Sequence, residues 1–353
     1  MPDQSLDDEV LVARTGALGH LTLNRPRAIN ALNHAMVTTL ASALEAWRDD
    51  DAVRTVLLSG AGDRGLCAGG DIVAIYTAVN SGRDDAVRFW SDEYRLDAAI
   101  SRYPKPYVAL MDGLVLGGGI GLSAHGGIRV VTERTRVGMP EVSIGFFPDV
   151  GGTYLLSRAP GQLGTHLGLT GETASGADAI ALGLADHFVP SERLAELATA
   201  LETRDAHDVL AEFAIAPPAS ELLAQRDWID AAYAGDDAEV IVERLEASSE
   251  PAAREAAATI RSKSPTSVAL TLAALRRAAA LPSLEAALDQ DFRVATRVSR
   301  GTEVIEGIRA QVIDKDRTPH WSPATLAAVT PDEIANYFAP LGDAELGLAT
   351  TPA

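Results

Sequence analysis

An α/β fold of repeated ββα units, closed by a helical C-terminal region, is what this sequence predicts. Three observations predict it. Strand, glycine-rich loop, helix and strand recur at roughly 50-residue spacing over about the first 150 residues. Short apolar runs bounded by Gly, Pro or Asp alternate with stretches of helical period. After about residue 190 the chain turns rich in Ala, Leu and charged residues at helical spacing, with few strand-like runs. The pattern favours stacked ββα-like units over a sandwich or a bundle.

Residues 10–23 alternate loosely and read as two strands around the turn Thr15-Gly16. Residues 31–49 carry Met36, Leu40, Leu44 and Trp47 on one helical stripe. A short buried strand follows at 55–59, then a loop at 60–71. Residues 86–101 read as a helix bearing Glu93, and 107–111 as another buried strand. A helix is expected over 118–125 and a strand over 128–132. Ala216-Pro-Pro218 and Ser264-Pro265 punctuate helices further on. We therefore expect a core with the site over 8–204 and a helical region over 205–353, the tail 342–353 being frayed.

The 353 residues suffice for one large domain with an extension, or for two domains. Formal charge is 30 − 49 = −19, which argues against nucleic acid or an anionic membrane as a partner. A small anionic ligand on a local basic cluster stays compatible. One cysteine, Cys67, permits no intramolecular disulfide. The acidic start MPDQSLDDEV lacks the apolar run of a signal peptide and the arginines of a transit peptide. The best membrane candidate, 108–122, is broken by Asp112 and by glycines. These features lead us to expect a cytoplasmic protein.

Two glycine loops, 66–71 and 116–121, each lie after a strand and before a helix. Glycine lets backbone N–H groups approach a ligand, and a helix start adds unpaired N–H groups. Two such donors on one carbonyl oxygen would form an oxyanion hole. The plainer reading is that these glycines serve tight turns and close packing. A rival motif, G-x-G-x-x-A at 119–124, would suit a dinucleotide fold only at its first strand, and this one lies past residue 110. Two acids, Glu141 and Asp149, follow Pro140 and Pro148 in otherwise apolar surroundings. They could simply cap turns, yet acids in apolar surroundings are seldom buried without a partner. Glu93 alone would read as a solvated helix charge. Ser123 and His125 stand two apart on a helix and do not face each other. No G-x-S-x-G elbow and no paired histidine spacing occur, so no metal is expected. Cys67 reads as packed, and the four tryptophans as core or interface anchors.

CAGGDI at 67–72, DGLVLGGGIGLSAHG at 112–126 and MPEVSIGFFPDVGGTYLLSR at 139–158 resemble the crotonase (enoyl-CoA hydratase/isomerase) superfamily. Within it they resemble the 3-hydroxyisobutyryl-CoA hydrolase family, whose ending is similar to RGTEVIEGIRAQVIDKDRTPHWSP at 300–323. The resemblance covers about residues 8–340. It implies a spiral of ββα turns followed by helices. It implies that Gly70 and Gly118 supply the oxyanion N–H groups, that Glu141 and Asp149 are the working acids, and that Glu93 touches the acyl group. It also implies that Ala28, Ala68, Gly70, Asp71 and Ile72 line the CoA channel.

One departure from the hydratase pattern matters most. Hydratases hold water between two glutamates; the second matches Glu141, but Gly121 stands where the first belongs. Asp149 occupies a position that is commonly glycine in hydratases. The hydrolase family carries the same exchange. The resemblance therefore implies hydrolysis of a short-chain 3-hydroxyacyl-CoA, 3-hydroxyisobutyryl-CoA in valine breakdown, with CoA part of the substrate and no separate cofactor. Enoyl-CoA hydratase or isomerase chemistry is the alternative. CoA binding without catalysis and a dinucleotide oxidoreductase are the other classes. Arg25, Arg27, Arg261, Lys263, Arg276 and Arg277 are candidates for the CoA phosphates. The superfamily often forms trimers or hexamers, so a homo-oligomer is expected unless the C-terminal extension replaces a subunit contact.

Overall fold

The computed structural model describes residues 8–81 and 84–349. The acidic first residues, 1–7, and the last tail residues, 350–353, lie outside the described residues. Nine strands are described: β1 Val10–Thr15, β2 Leu18–Leu23, β3 Thr55–Gly60, β4 Tyr107–Met111, β5 Leu114–Leu116, β6 Ile128–Val131, β7 Arg136–Gly138, β8 Thr173–Ser175 and β9 His187–Phe188. They form a six-stranded sheet, β1-β2-β3-β4-β6-β9, and a three-stranded sheet, β5-β7-β8. After β9 the described chain is helices and connections. Repeated ββα units followed by a helical C-terminal region are thus the observed architecture. Among the described residues no helix is long and apolar enough to cross a membrane.

The chain divides into two compact units. The first comprises Met1–Gly70, Arg95–Val137 and Ala174–Ser220. Its large sheet opens with the expected hairpin: Val10 faces Leu23 and Thr15 faces Leu18 in antiparallel register. Gly16 turns the hairpin at φ +58°, and a Cβ there would lie 2.3 Å from the Glu202 carbonyl oxygen. The remaining pairings, β2 to β3, β3 to β4, β4 to β6 and β6 to β9, are parallel. Leu18, Leu57, Val108, Leu110, Ile128 and Val130 bury one sheet face against Leu197, Leu201, Val209, Leu210 and Phe213. These last lie on the helices Leu194–Leu201 and Ala206–Phe213. The helix His34–Arg48 buries the predicted stripe of Met36, Leu40, Leu44 and Trp47, and Asn33 caps its start by accepting the Met36 N–H.

The second unit comprises Asp71–Tyr94, Gly138–Thr173 and Glu221–Ala353. Ser264-Pro265 starts a helix here as its sequence suggests. The Ser264 hydroxyl accepts the Ser267 N–H, and Pro265 takes the first position of Pro265–Ala278. The helix Ile72–Ser81 follows the first glycine loop, where a helix was expected without stated bounds. The frayed tail is corrected as far as it is described. Leu346 and Leu348 are buried, and the Leu348 and Ala349 N–H groups donate to the Asp289 carboxylate at 2.8 and 3.0 Å. Two apolar side chains and two satisfied donors outweigh the chain entropy that frees most termini.

Candidate active site

The residues singled out from sequence fall in both units, and each unit builds its own cluster. In the first unit the two glycine loops run side by side. Cys67 forms a parallel bridge with Val115. The Cys67 N–H donates to the Leu114 carbonyl at 3.1 Å, and the Leu116 N–H donates to the Cys67 carbonyl at 2.9 Å. Gly69 has φ +94°, and a Cβ there would sit 3.3 Å from the Leu116 carbonyl oxygen. Gly117, at φ +46° and ψ −119°, turns the second loop into the helix Gly118–Ala124. These conformations are why glycine stands there.

The Gly118 N–H is the first of its helix and has no acceptor within it. Gly70 is half-buried and pairs with Leu32 through the Leu32 N–H and the Gly69 carbonyl. Its own N–H meets no backbone acceptor among the described residues. Two neighbouring loops therefore each present a backbone donor. Gly121 is buried within the helix and brings no carboxylate. Gly119 has a packing role, since a Cβ would lie 2.9 Å from the Cys67 carbonyl oxygen. The Ser123 hydroxyl donates to the Gly119 carbonyl at 2.6 Å, inside its own helix. The Cys67 thiol is buried and donates to the Asn30 carbonyl at 3.2 Å. Ala28 is exposed at the end of the turn Pro26–Ala28, and the Ala68 N–H donates to the Ile29 carbonyl at 2.9 Å.

The second unit holds the acids. Glu93, Glu141 and Asp149 are 2, 8 and 6% exposed, which removes the solvated-charge reading for Glu93. Glu141 opens the 3₁₀ turn Glu141–Ile144, which Gly145 ends at φ +73°. Its Oε2 is buried with no hydrogen-bond partner among the described residues. Burial, and then the charge of Asp149, push the Glu141 carboxyl well above the usual carboxylate range. Asp149 precedes two left-handed residues, Val150 at φ +50° and Gly151 at φ +72°. Its Oδ2 accepts the Tyr94 hydroxyl at 2.6 Å. Burial raises its pKa to about 7, and the Tyr94 hydrogen bond acts the other way. Apolar rings accompany the acids: Trp90 stacks on Phe146 at 5.3 Å, and Phe292 meets Tyr94 edge-on at 6.5 Å.

Asp71 and Ile72 open the helix Ile72–Ser81, with the Asp71 carboxylate accepting the Ala74 N–H at 3.1 Å. Several candidate cations are already engaged. Arg25 pairs with Glu9 at 3.1 Å, Arg261 with Glu239 and Glu246 at 2.8 and 3.0 Å, and Arg276 with Asp236 at 3.1 Å. Lys263 donates to the Ser143 hydroxyl at 2.9 Å, and burial lowers its pKa. Arg277 lies over the Phe338 ring at 4.3 Å, and Arg27 is exposed. Sequence reasoning missed Tyr94 and a further buried acid, Asp291 on the helix Leu284–Val298. Neither lies in a glycine- or proline-marked motif that would have drawn attention to it.

The model for enoyl-CoA hydratase/isomerase matches residues 18–338. This chain belongs to the enoyl-CoA hydratase/isomerase family. It is thus a crotonase-superfamily enzyme acting on an acyl-CoA thioester. Among its relatives is the mitochondrial 3-hydroxyisobutyryl-CoA hydrolase of Xenopus tropicalis, 39% identical, with 97% of this chain and 91% of the relative covered. The Homo sapiens protein of the same name is 38% identical over 96% of this chain and 90% of the relative. A solved carnitinyl-CoA dehydratase from Mycobacterium thermoresistibile is 54% identical with a TM-score of 0.93, covering 96% of this chain and 98% of that one. An enoyl-CoA hydratase from Rhodobacter sphaeroides 2.4.1 is 41% identical with a TM-score of 0.92, covering 96% and 99%. The relatives' names overturn the cytoplasmic expectation, for those proteins are mitochondrial. Its error was physical: a single cysteine and an ordinary composition suit any reducing compartment equally.

Proposed function

We propose that this enzyme hydrolyses a short-chain 3-hydroxyacyl-CoA thioester, namely 3-hydroxyisobutyryl-CoA to 3-hydroxyisobutyrate and CoA. The observation that carries the reading is the acid set. Glu141 is buried with an unpartnered Oε2 and with Asp149 acting on it electrostatically, while position 121 is glycine. A carboxylate with a free oxygen can attack or deprotonate, but no two-glutamate water site can be assembled from Glu141 and Gly121. The curated hydrolases, similar over nearly the whole chain, support the same reading.

In this reading the Gly70 and Gly118 N–H groups stabilise the oxygen charge that builds as the thioester carbonyl is attacked. In one route Glu141 attacks the carbonyl carbon, CoA thiolate departs and water cleaves the resulting anhydride. In the other Glu141 takes a proton from water, which attacks directly. Asp149 orients the water or bonds to the 3-hydroxyl, and Glu93 is a second partner for that hydroxyl. A site built to bond that hydroxyl rejects analogues that lack it. Ala28, Ala68, Gly70, Asp71 and Ile72 hold the CoA portion through backbone groups.

The second reading, an enoyl-CoA hydratase or isomerase, is favoured by the family description and by the names of the Mycobacterium and Rhodobacter structures. It would need Asp149 to replace the missing glutamate. The deciding experiment follows thiol release from (S)-3-hydroxyisobutyryl-CoA and hydration of crotonyl-CoA by one preparation. Thiol release with negligible hydration supports the hydrolase; hydration without thiol release overturns it in favour of the second reading.

A further inference from the structure

We propose that Tyr94 and Asp291 are positioning residues that together fix the Asp149 carboxylate, Tyr94 by binding it and Asp291 by locking the turn that presents it. The proposal rests on the reading of Asp149 as a working acid. Both residues are fully buried in the same unit as Asp149. The Tyr94 hydroxyl donates to Asp149 Oδ2 at 2.6 Å. Asp291 acts one step further back. Its Oδ2 accepts the Gly151 N–H at 2.9 Å, and its Oδ1 accepts the Thr153 hydroxyl at 3.3 Å.

The turn needs such a lock. Val150 is a β-branched residue at φ +50°, a conformation its side chain disfavours. The Gly152 N–H closes the turn on the Asp149 carbonyl at 2.6 Å. Without an acceptor at position 291, the Gly151 N–H would be buried unpaired, and the turn would relax toward a conformation that satisfies it. Asp149 would then swing off its line. A buried acid that serves only packing would be costly, since an apolar residue fills the same space without desolvation. The charged and titratable groups acting on this ensemble are Glu93 and Tyr94 from the helix Asp84–Ser101, Glu141, Asp149 itself, and Asp291.

The test uses the full chain, thiol release from 3-hydroxyisobutyryl-CoA and thermal melts of each variant. Tyr94→Phe removes one oxygen. It should lower kcat about tenfold with KM held within about twofold. It should also move the Asp149 limb of the pH–rate profile upward, because the lost bond favours the ionised carboxylate. Asp291→Ala should lower kcat by about 10- to 100-fold, while Asp291→Asn, which keeps an acceptor for Gly151, should restore most of it. Equal activity of the Ala and Asn variants, or an unmoved pH limb in Tyr94→Phe, overturns the proposal. If Asp291→Ala fails to fold, Tyr94→Phe decides. Asp149→Asn separates the two readings. If it keeps full turnover, the site itself is misread and this inference falls with it. If it is impaired while Tyr94→Phe and Asp291→Ala are not, only this inference falls.

Discussion

At the scale of single residues, burial raises the pKa values of Glu141 and Asp149, with desolvation the first cause in each. Replacing either by its amide removes the charge and leaves the shape. We expect Glu141→Gln and Asp149→Asn each to lower thiol release at least about tenfold while melting cooperatively like the parent. A second expectation concerns pH. In the proposed reaction, attack or proton abstraction requires the ionised Glu141, so turnover should rise with pH. The Asp149 charge raises the Glu141 pKa. In Asp149→Asn the residual activity should therefore rise at lower pH than in the parent, and a pH–rate series on both proteins checks the direction.

At the scale of elements, the turn Glu141–Ile144 depends on the glycine that ends it. Gly145 sits at φ +73°, and a Cβ there would come 2.3 Å from the Glu303 carbonyl oxygen. Backbone cannot yield cheaply, so Gly145→Ala should destabilise by roughly 1–3 kcal/mol and reduce turnover by disturbing Glu141; a melt and a rate assay measure both. Legibility in the sequence follows from the range of each signal. Met36, Leu40, Leu44 and Trp47 repeat within one helix, so that helix was readable. The helix Ile72–Ser81 is apolar nearly all round and buries only Val79, so it shows no stripe to read. Strands β5, β7 and β8 have three residues each, too few for alternation to register. Glu141 and Asp149 could be singled out as candidates because a local motif surrounds them. Tyr94 and Asp291 could not, because their partners lie 55 and 140 residues away in sequence. Only the fold brings such pairs together.

At the scale of the whole molecule, formal charge of −19 and buried acids with raised pKa values, Glu141, Asp149 and Asp291 among them, point the same way. A carboxyl whose pKa is higher folded than unfolded holds a proton that the unfolded chain has already lost. Across that window the native state binds more protons, so stability falls as pH rises. For Asp149 the window runs from about 4, the ordinary aspartate value, to about 7. Each such acid contributes a slope of up to about 1.4 kcal/mol per pH unit within its window. Self-repulsion of the net negative charge adds to the same trend. Acids with lowered pKa values, such as Glu172 and Asp186, oppose it only in strong acid. Their contribution is complete above the ordinary carboxylate range and is lost as pH falls through their folded values. We therefore expect the melting temperature to be higher near pH 5.5 than near pH 8. Asp149→Asn should be more stable than the parent at pH 8 and should show a shallower slope between those two pH values. A parent protein whose stability rises steadily from pH 5.5 to pH 8 would mean that these carboxyls are ionised and well solvated in the folded state. Burial would then not be what tunes Glu141 and Asp149, and the acid cluster would need a different physical basis.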